Sequence, residues 1–317
     1  MTMPAAGGPE VLAAAEIARP ARVAAEVLVR VVAAGVNPID AKTRAGRGAY
    51  PGIASFPAVL GLDFSGVVVE APYQSHPLQP GTEVYGMVPV PRMSGAYAEY
   101  LAVSELHVVR KPSILSHVEA AAVPVAALTA WGMVVDQARA HEGQRMLIHA
   151  GAGGVGHFAV QFAAYFGAHV IATGSARNAE WLRELGAAEV IDYTAERFEE
   201  VLAEHPVDAV IDLIGNVHDQ TGTRSLRALR PGGLLVNAPS GSWPKLDAEA
   251  AEAGVRATRY QVSASGATLA IVSRLLESGD VKVYVDRVFE LGEAAEAHRA
   301  IESGHTRGKI VLRVAES

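Results

Sequence analysis

The stretch RMLIHAGAGGVGHFAVQ (145–161) joins two apolar segments through a loop that is rich in glycine. Gly151, Gly153 and Gly156 have the spacing G-x-G-x-x-G, directly after the predicted strand RMLIH and at the start of a predicted helix. In this context the first glycine permits a tight turn, the second lets the backbone approach a pyrophosphate, and the third lets helix and strand pack closely. An ordinary strand-to-helix turn is the alternative. We predict a dinucleotide-binding loop made of Gly151, Gly153, Gly154, Val155 and Gly156.

The sequence around this loop, from about residue 125 to 262, alternates between short apolar strands and helix-length segments. This alternation is typical of a parallel sheet covered by helices, and six strands fit a doubly wound sheet. The predicted strands are RMLIH, HVIAT, EVI, DAVIDL, GLLVN and VRATRY. Residues 1–124 contain short strand-like segments instead, such as EVLVRVVAAGV (26–36) and TEVYGMVPV (82–90). We therefore predict an α/β protein with a β-rich domain over 1–124 and a dinucleotide-binding domain over 125–262.

The second predicted strand indicates which dinucleotide binds. NAD sites typically have a carboxylate about 20 residues after the loop, which accepts a hydrogen bond from the 2′-hydroxyl of the adenosine ribose. Here no acidic residue occurs between His157 and Ala179, and the strand is followed by Ser175, Arg177 and Asn178. These side chains can donate to a 2′-phosphate, which a carboxylate would repel. We predict NADPH as the cofactor; the alternative for Arg177 is a solvated residue in the first turn of a helix.

The composition restricts the other classes of function. The chain has 317 residues, of which 50% are hydrophobic, and a net charge of -7, with no basic cluster typical of nucleic-acid binding. It has no cysteine, which excludes disulfides, thiolate metal ligands and a thiol nucleophile. The longest apolar run, residues 120–135, is short for a membrane span and contains Pro124, so we expect a buried helix that starts near this proline. The N-terminal residues lack a secretory pattern, and we expect a cytoplasmic location.

Four further motifs occur along the chain: GVNPIDAKTRAG (35–46), GLDFSGVVVE (61–70), PVAALTAW (124–131) and GHTRGKIVL (304–312). With GAGGVG, they make the chain similar to the zinc-free medium-chain dehydrogenases/reductases, in the branch of zeta-crystallin-like quinone oxidoreductases and enone reductases. The resemblance implies a Rossmann domain and a GroES-like catalytic domain, which residues 263–317 complete. It also implies a homodimer and an active site in the cleft between the domains. The family usually opens with a strand, for which MTMPAA is too short, so we expect an altered edge of the first sheet.

The resemblance also implies chemistry without a metal site. Zinc alcohol dehydrogenases of the same superfamily have a catalytic cysteine at the position of Asn37 and a His-Glu pair at the positions of Leu62 and Asp63. A quinone or an α,β-unsaturated ketone is already electrophilic, so hydride transfer to it needs orientation and a few hydrogen-bond donors rather than a Lewis acid.

Three catalytic residues follow from the resemblance. Asn37 would lie beside the nicotinamide and the substrate, Lys42 of the pattern N-P-x-D-x-K would stabilise a developing oxyanion, and Thr129 would direct its hydroxyl to the nicotinamide. The alternatives are an Asn-Pro turn, a solvated lysine and a threonine bonded to the backbone of its own helix. Asp40 is expected to fix the loop rather than to transfer a proton.

The remaining candidates extend the cofactor and substrate sites. Tyr193 is expected near the adenosine end of the cofactor, Ser240 near the nicotinamide amide, and Lys309 at a cofactor phosphate, with a surface lysine as the alternative. Tyr50 and Tyr260 are expected in the wall of the substrate pocket.

Together these features predict an NADPH-dependent oxidoreductase that transfers hydride to a quinone or an α,β-unsaturated carbonyl compound without zinc. An enoyl-thioester reductase and a non-catalytic NADPH-binding sensor or structural protein are the alternatives. No hydrolase or kinase motif is present. The expected partner is a small-molecule substrate, and neither nucleic acid nor a membrane is expected.

Overall fold

The computed structural model describes residues 1–89 and 95–316, so Val90, the last residue of the predicted strand TEVYGMVPV, lies outside the described residues. Contacts divide the chain into two compact units. Residues 1–128 and 263–317 form one, which we call the split unit, and residues 129–262 form the other, the central unit. The boundaries expected from the sequence, after residues 124 and 262, differ from these only at the first position.

The strands of the described residues are numbered in chain order: β1 (Glu26–Val36), β2 (Asp63–Glu70), β3 (Glu83–Met87), β4 (Tyr100–Ser104), β5 (Val108–Arg110), β6 (Arg145–Ile148), β7 (His169–Gly174), β8 (Glu189–Asp192), β9 (Val207–Asp212), β10 (Leu229–Asn237), β11 (Arg256–Arg259), β12 (Val285–Glu290) and β13 (Lys309–Arg313). The α-helices are α1 (Pro38–Arg44), α2 (His117–Ala121), α3 (Pro124–Trp131), α4 (Gly156–Tyr165), α5 (Ala179–Glu184), α6 (Phe198–Val201), α7 (Thr221–Ala228), α8 (Leu246–Glu252), α9 (Gly266–Ser278) and α10 (Ala294–Glu302). Single turns of 3-10 helix are Pro9–Val11, Tyr50–Gly52, Glu105–His107, Ala176–Asn178 and Leu291–Glu293.

The central unit contains a six-stranded parallel sheet in the order β11-β10-β9-β6-β7-β8. The chain starts in the middle at β6, extends to β8 on one side, and returns to β9 to extend to β11 on the other. This is the doubly wound order of a Rossmann fold, so the fold predicted from the alternating pattern is confirmed. The strand centres supply a fully buried core that includes Leu147, Ile171, Val210 and Leu235. The loop after β6 lies where the strand order reverses, which is where such sheets bind ligands.

The split unit contains a seven-stranded sheet whose central strand is β1. The first half of β1 pairs with β4 and its second half pairs with β13, both antiparallel, while β2 pairs along its other edge. Ala33 lies opposite Arg313 and Val36 opposite Ile310. The last strand of the chain therefore pairs with β1 and completes this sheet.

The first residues do not form a strand of this sheet. Thr2 makes an isolated bridge to Ala13, and Met3 makes one to Ala58. Met3 is nevertheless fully buried. The N-terminal ammonium also donates to the carbonyl oxygen of Tyr97, and Gly7 N–H to that of Arg44, so contact with the rest of the split unit comes from single bonds and buried side chains rather than from a ladder.

The long apolar run forms α3, which begins at Pro124 as expected, and continues as a π-helical turn over Gly132–Gln137. Its side chains are almost all buried. Among the residues that the structure describes, no helix is both long and apolar enough to cross a membrane.

The core of the central unit gives a first test. Leu147 lies on β6, fully buried between neighbouring strands, so Leu147→Ala should lower the free energy of unfolding by about 2–5 kcal/mol. Val201→Ala, at a side chain that is 45% exposed, is the control and should change it by less than about 0.5 kcal/mol. Urea titration measures both, and equal losses would contradict the assignment of the core.

Candidate functional site

The glycine loop between β6 and α4 has the geometry that its spacing predicts. A Cβ atom on Gly156 would lie 2.1 Å from the carbonyl oxygen of Ala150 and 2.8 Å from the backbone of Gly151, so the helix can start here only at a glycine. Apart from its two chain neighbours, a Cβ on Gly153 would meet only one atom of the described residues within 4 Å, the carbonyl oxygen of Ala150 at 3.3 Å. The backbone at Gly153 is therefore open on the side that a side chain would cover, and this opening fits a pyrophosphate group.

A buried histidine supports this loop from below. The Nε2 atom of His149 lies 2.8 Å from Ser225 Oγ, and its Nδ1 atom lies 3.2 Å from Thr173 Oγ1. The Ser225 hydroxyl donates to the carbonyl of Thr221, and Thr173 Oγ1 accepts from the backbone N–H of Ala150. Each hydroxyl has one hydrogen, so Nε2–H donates to Ser225 and Nδ1 accepts from Thr173.

This arrangement requires neutral imidazole. Burial lowers the pKa of His149 to about 4, although the charge of Asp212 acts in the opposite direction. His149 thus ties β7 and α7 to the start of the glycine loop. Sequence analysis did not identify it, and its only signal was a histidine at the end of an apolar strand.

The turn after β7 holds the residues predicted for the 2′-phosphate. The amide Nδ2 of Asn178 lies 3.3 Å from Ser175 Oγ, and its backbone N–H donates to the Ser175 carbonyl at 2.9 Å. Arg177 is exposed between them. Tyr193, which is 60% exposed, follows β8 and donates its backbone N–H to Gly174 at 3.4 Å. The structure brings these four residues to one edge of the sheet.

A carboxylate that the sequence analysis did not consider holds the same turn. The hydroxyl and backbone N–H of Thr194 and the backbone N–H of Ala176 donate to Asp192, and these bonds lower the pKa of this carboxyl. Asp192 is therefore a negative charge next to the turn, and Arg177 supplies the opposite charge.

The loops after β9 and β10 are joined by Asp212. Its Oδ1 accepts the backbone N–H groups of Ile214 and Gly215, and its Oδ2 accepts Asn237 Nδ2 at 2.8 Å. Ser240 is exposed in the loop after β10.

Tyr260, one of the two tyrosines predicted for the substrate wall, lies over the helix that follows α3. A Cβ on Gly132 would come within 1.8 Å of its hydroxyl. Burial and the charge of Asp136 raise the pKa of Tyr260. The other tyrosine, Tyr50, belongs to the split unit, where its ring lies 5.9 Å from that of Phe56.

In the split unit, Asn37 occupies a buried polar cluster between β1 and α1. Its backbone N–H donates to Asp40 Oδ2 at 2.8 Å, and its side-chain Nδ2 donates to Asp63 Oδ2 at 2.9 Å. The ammonium of Lys309 donates to Asn37 Oδ1, and also lies 3.2 Å from both Asp63 Oδ2 and the carbonyl oxygen of Val36. Asp63 Oδ1 accepts the backbone N–H of Val125, at the start of α3, at 2.7 Å.

The position of Lys309 differs from the cofactor-phosphate contact expected from the sequence. Lys309 is 3% exposed, and its ammonium donates to three oxygens of the split unit. An ammonium has three hydrogens, so these contacts use its full donor capacity. Neither a phosphate contact nor a surface position agrees with this geometry.

Asp40 fixes the turn at Asn37, in the role expected for it. It is fully buried, and burial raises its pKa to about 7, while the N–H of Asn37 acts to lower it. The hydroxyl of Tyr97 lies 3.3 Å from Asp40 Oδ2 and 3.3 Å from His298 Nε2. Burial lowers the pKa of His298 to about 3, and the charge of Arg44 acts in the same direction.

The two other predicted catalytic residues differ in burial. Lys42 is half-buried on α1, and burial together with the charge of Arg47 lowers its pKa. Thr129 is buried in α3. The described residues contain no group of three or more histidine, aspartate or glutamate side chains that could hold a metal ion.

Comparison with known proteins identifies the family. The model of the alcohol dehydrogenase GroES-like domain matches residues 23–113, and that of zinc-binding dehydrogenases matches residues 185–312. The NAD(P)H oxidoreductase RTN4IP1, mitochondrial, of Mus musculus is 35% identical, over 91% of this chain and 82% of its own length. The chloroplastic NADPH-dependent alkenal/one oxidoreductase of Arabidopsis thaliana is 34% identical, over 90% and 72%. The quinone oxidoreductase structure from Coxiella burnetii has a TM-score of 0.92 and 36% identity, over 99% of this chain and 98% of that one.

The chain belongs to the medium-chain dehydrogenase/reductase family. The resemblance to the quinone oxidoreductase and enone reductase branch is thereby confirmed, as is the GroES-like domain predicted beside the Rossmann fold. Asn37 and the pair Leu62 and Asp63 stand at the positions that the resemblance assigns to zinc ligands of related alcohol dehydrogenases, and the chain has no cysteine. Asp63 is here a hydrogen-bond acceptor for protein groups.

The low pKa of His149 predicts acid sensitivity of the central unit. Unfolded histidine takes up a proton below its ordinary pKa of 6.5, whereas folded His149 stays neutral down to about pH 4, so stability is lost as the pH falls from 6.5 towards 4. Between pH 7 and pH 5 this loss amounts to about 2 kcal/mol.

Urea unfolding at the two pH values measures this loss. The variant His149→Gln keeps a donor and an acceptor but has no group that titrates, so it should lose about 2 kcal/mol less than the wild type over this interval. The same pH dependence in both proteins would show that His149 is not the titrating group.

Proposed function

We propose that this protein is an NADPH-dependent oxidoreductase that transfers hydride to a quinone or an α,β-unsaturated carbonyl compound without zinc. The observation that carries the proposal is the open backbone at Gly153, at the point where the order of the Rossmann sheet reverses. The named activities of the Arabidopsis and Coxiella proteins support the choice of cofactor and acceptor.

The central unit is proposed to hold the cofactor. Gly151, Gly153, Gly154, Val155 and Gly156 bind the pyrophosphate at the start of α4. Ser175, Arg177 and Asn178 bind the 2′-phosphate, with Tyr193 at the adenosine end, Ser240 at the nicotinamide amide and Thr129 at the nicotinamide. When bound, NADPH supplies the hydride.

The split unit is proposed to bind the acceptor. The amide of Asn37 and the ammonium of Lys42 donate hydrogen bonds to the substrate oxygen, on which negative charge develops during hydride transfer. A donor fixed in a buried environment, such as the amide of Asn37, needs no reorganisation in the transition state, and this substitutes for a Lewis acid. Tyr50, which belongs to the split unit, is proposed for the wall of the substrate pocket.

Two further properties are proposals from the resemblance to the family. We expect a homodimer, which light scattering coupled to size exclusion tests directly. We also retain the cytoplasmic location, although the name of the mouse relative places that protein in mitochondria.

The proposed phosphate contact of Arg177 predicts cofactor preference. Arg177→Ala should lower kcat/KM for NADPH about ten- to a hundredfold and leave that for NADH nearly unchanged, because one charge-assisted hydrogen bond contributes about 1.5–3 kcal/mol. Arg183→Ala, at an exposed arginine on the following helix α5, is the matched control. If the preference for NADPH persists in Arg177→Ala, the 2′-phosphate is bound elsewhere.

To test the activity, the protein is dialysed against a chelator, and its turnover is then followed by the loss of NADPH absorbance. We expect turnover of a quinone or a short enone, faster with NADPH than with NADH. In Asn37→Ala, kcat should fall by a factor of about a hundred to a thousand. Exclusive turnover of an enoyl thioester would favour an enoyl-thioester reductase. Tight binding of NADPH without oxidation by any of these acceptors would favour a sensor.

A further inference from the structure

Lys309 is a buried cation in the split unit with no part in the chemistry proposed above. Its ammonium, on a residue that is 3% exposed, lies 3.2 Å from Asp63 Oδ2 and also donates to Asn37 Oδ1. Burying an ammonium is costly unless it is paired and fully hydrogen-bonded. Here both conditions are met, and one of the three acceptors is the amide oxygen of the proposed catalytic asparagine.

Asp63 completes the arrangement from the other side. Its fully buried carboxylate accepts Asn37 Nδ2 at 2.9 Å and the N–H of Val125 at 2.7 Å. An ammonium can only donate and a carboxylate only accept, so the two ends of the Asn37 amide are distinguished chemically. The carbonyl end faces Lys309, and the NH2 end faces Asp63.

Lys309 and Asp63, which we call the clamp, determine which hydrogen-bonding groups the Asn37 amide can offer to a ligand. Nδ2 carries two hydrogens, of which Asp63 takes one, and among the described residues no second acceptor of Nδ2 is found. A rotated amide would place its NH2 group against the ammonium and its oxygen against the carboxylate. Both contacts would be repulsive, so the clamp selects the orientation that retains an N–H donor.

We infer that Lys309 is a positioning residue for the reaction, which acts through Asn37 by fixing the orientation of its amide and polarising it. A cation at the carbonyl oxygen withdraws electron density from the amide and makes the remaining N–H a stronger donor. Lys309 touches neither acceptor nor cofactor in this role. The inference rests on the proposed function, because it assumes that Asn37 donates to the substrate oxygen.

The inference is tested by a double-mutant cycle on the full chain. Lys309→Met, Asn37→Ala and the combined variant are compared in kcat at saturating NADPH and quinone. A residue that acts only through Asn37 should lower kcat about ten- to a hundredfold in the wild type and less than about twofold in Asn37→Ala. Losses that multiply would overturn the inference.

A matched control variant and a measurement of NADPH binding distinguish this positioning role from a general effect of charge on β13 and from a contact with a cofactor phosphate. Arg313→Met removes a cation of the same strand β13, 48% exposed and paired with Glu290, and should leave kcat within about twofold of the wild type. The Kd of NADPH should stay within about twofold in Lys309→Met. A tenfold weaker binding of NADPH with unchanged kcat would instead identify a phosphate contact and overturn the inference.

Lys309→Met leaves the buried carboxylate of Asp63 without its cation, which destabilises the fold. If this variant does not fold, the pair Lys309→Met with Asp63→Asn removes both charges together, and the cycle is run on that background. The same criterion applies there: a loss of kcat that persists undiminished in the presence of Asn37→Ala overturns the inference.

A measurement without turnover keeps the inference distinct from the proposed function. The side-chain NH2 signals of Asn37, assigned in 15N-labelled protein by their absence in Asn37→Ala, should shift in Lys309→Met and not in Arg313→Met. Unshifted signals would show that Lys309 does not act on the amide. If the wild type reduces none of the acceptors, the proposed function fails, while these signals still report on the clamp.

Discussion

The geometry of the split unit depends on the hydrogen bonds that the buried carboxylate of Asp63 accepts. Its three donors come from Asn37 at the end of β1, Val125 at the start of α3 and Lys309 on β13. A carboxylate without these partners would not be tolerated in the core, because desolvation of the charge costs several kcal/mol. The donors that satisfy this charge bring the end of β1, the start of α3 and β13 together at one point. The amide of Asn37 is oriented as a result.

The central unit satisfies the buried polar groups at the ends of its strands with neutral partners. His149 is held neutral by burial, and both of its ring nitrogens form hydrogen bonds with hydroxyl groups. Asp212 satisfies its carboxylate with backbone N–H groups and the amide of Asn237. Both residues lie at the carboxyl ends of the strands, where the loops begin, while the strand centres are apolar. Polar groups in this unit thus shape the loops, and apolar groups hold the sheet.

The sequence predicted those features that depend on neighbouring residues. EVLVRVVAAGV matches β1 residue for residue, and the strands around the glycine loop agree within a few residues, because runs of β-branched and apolar side chains bounded by glycine are strong local signals. The helices α6 and α8 have weaker local signals, since the first is a single turn of four residues and the second is rich in acidic residues. The parallel order of the sheet follows from the alternation of strands and helices together with the rule for crossovers.

The hydrogen-bond partners of the site residues could not be predicted from local sequence patterns. Lys309 and Asp63 are 246 residues apart, and nothing near either residue marks the other. His149 likewise meets Thr173 and Ser225 at separations of 24 and 76 residues. A lone lysine in a strand-like segment is most often exposed, so the sequence favoured a solvent or phosphate contact over a buried pair.

The insertion of the central unit between the two parts of the split unit also fixes an order of events during synthesis. All strands of the central sheet have been synthesised once residue 259 is added, and the chain then contains everything that the core of this unit needs. The split unit lacks β13 at that stage, and the carboxylate of Asp63 has no cation to pair with. Because domains fold as their sequence becomes available, the nascent chain holds a folded central sheet before the sheet of the split unit is complete.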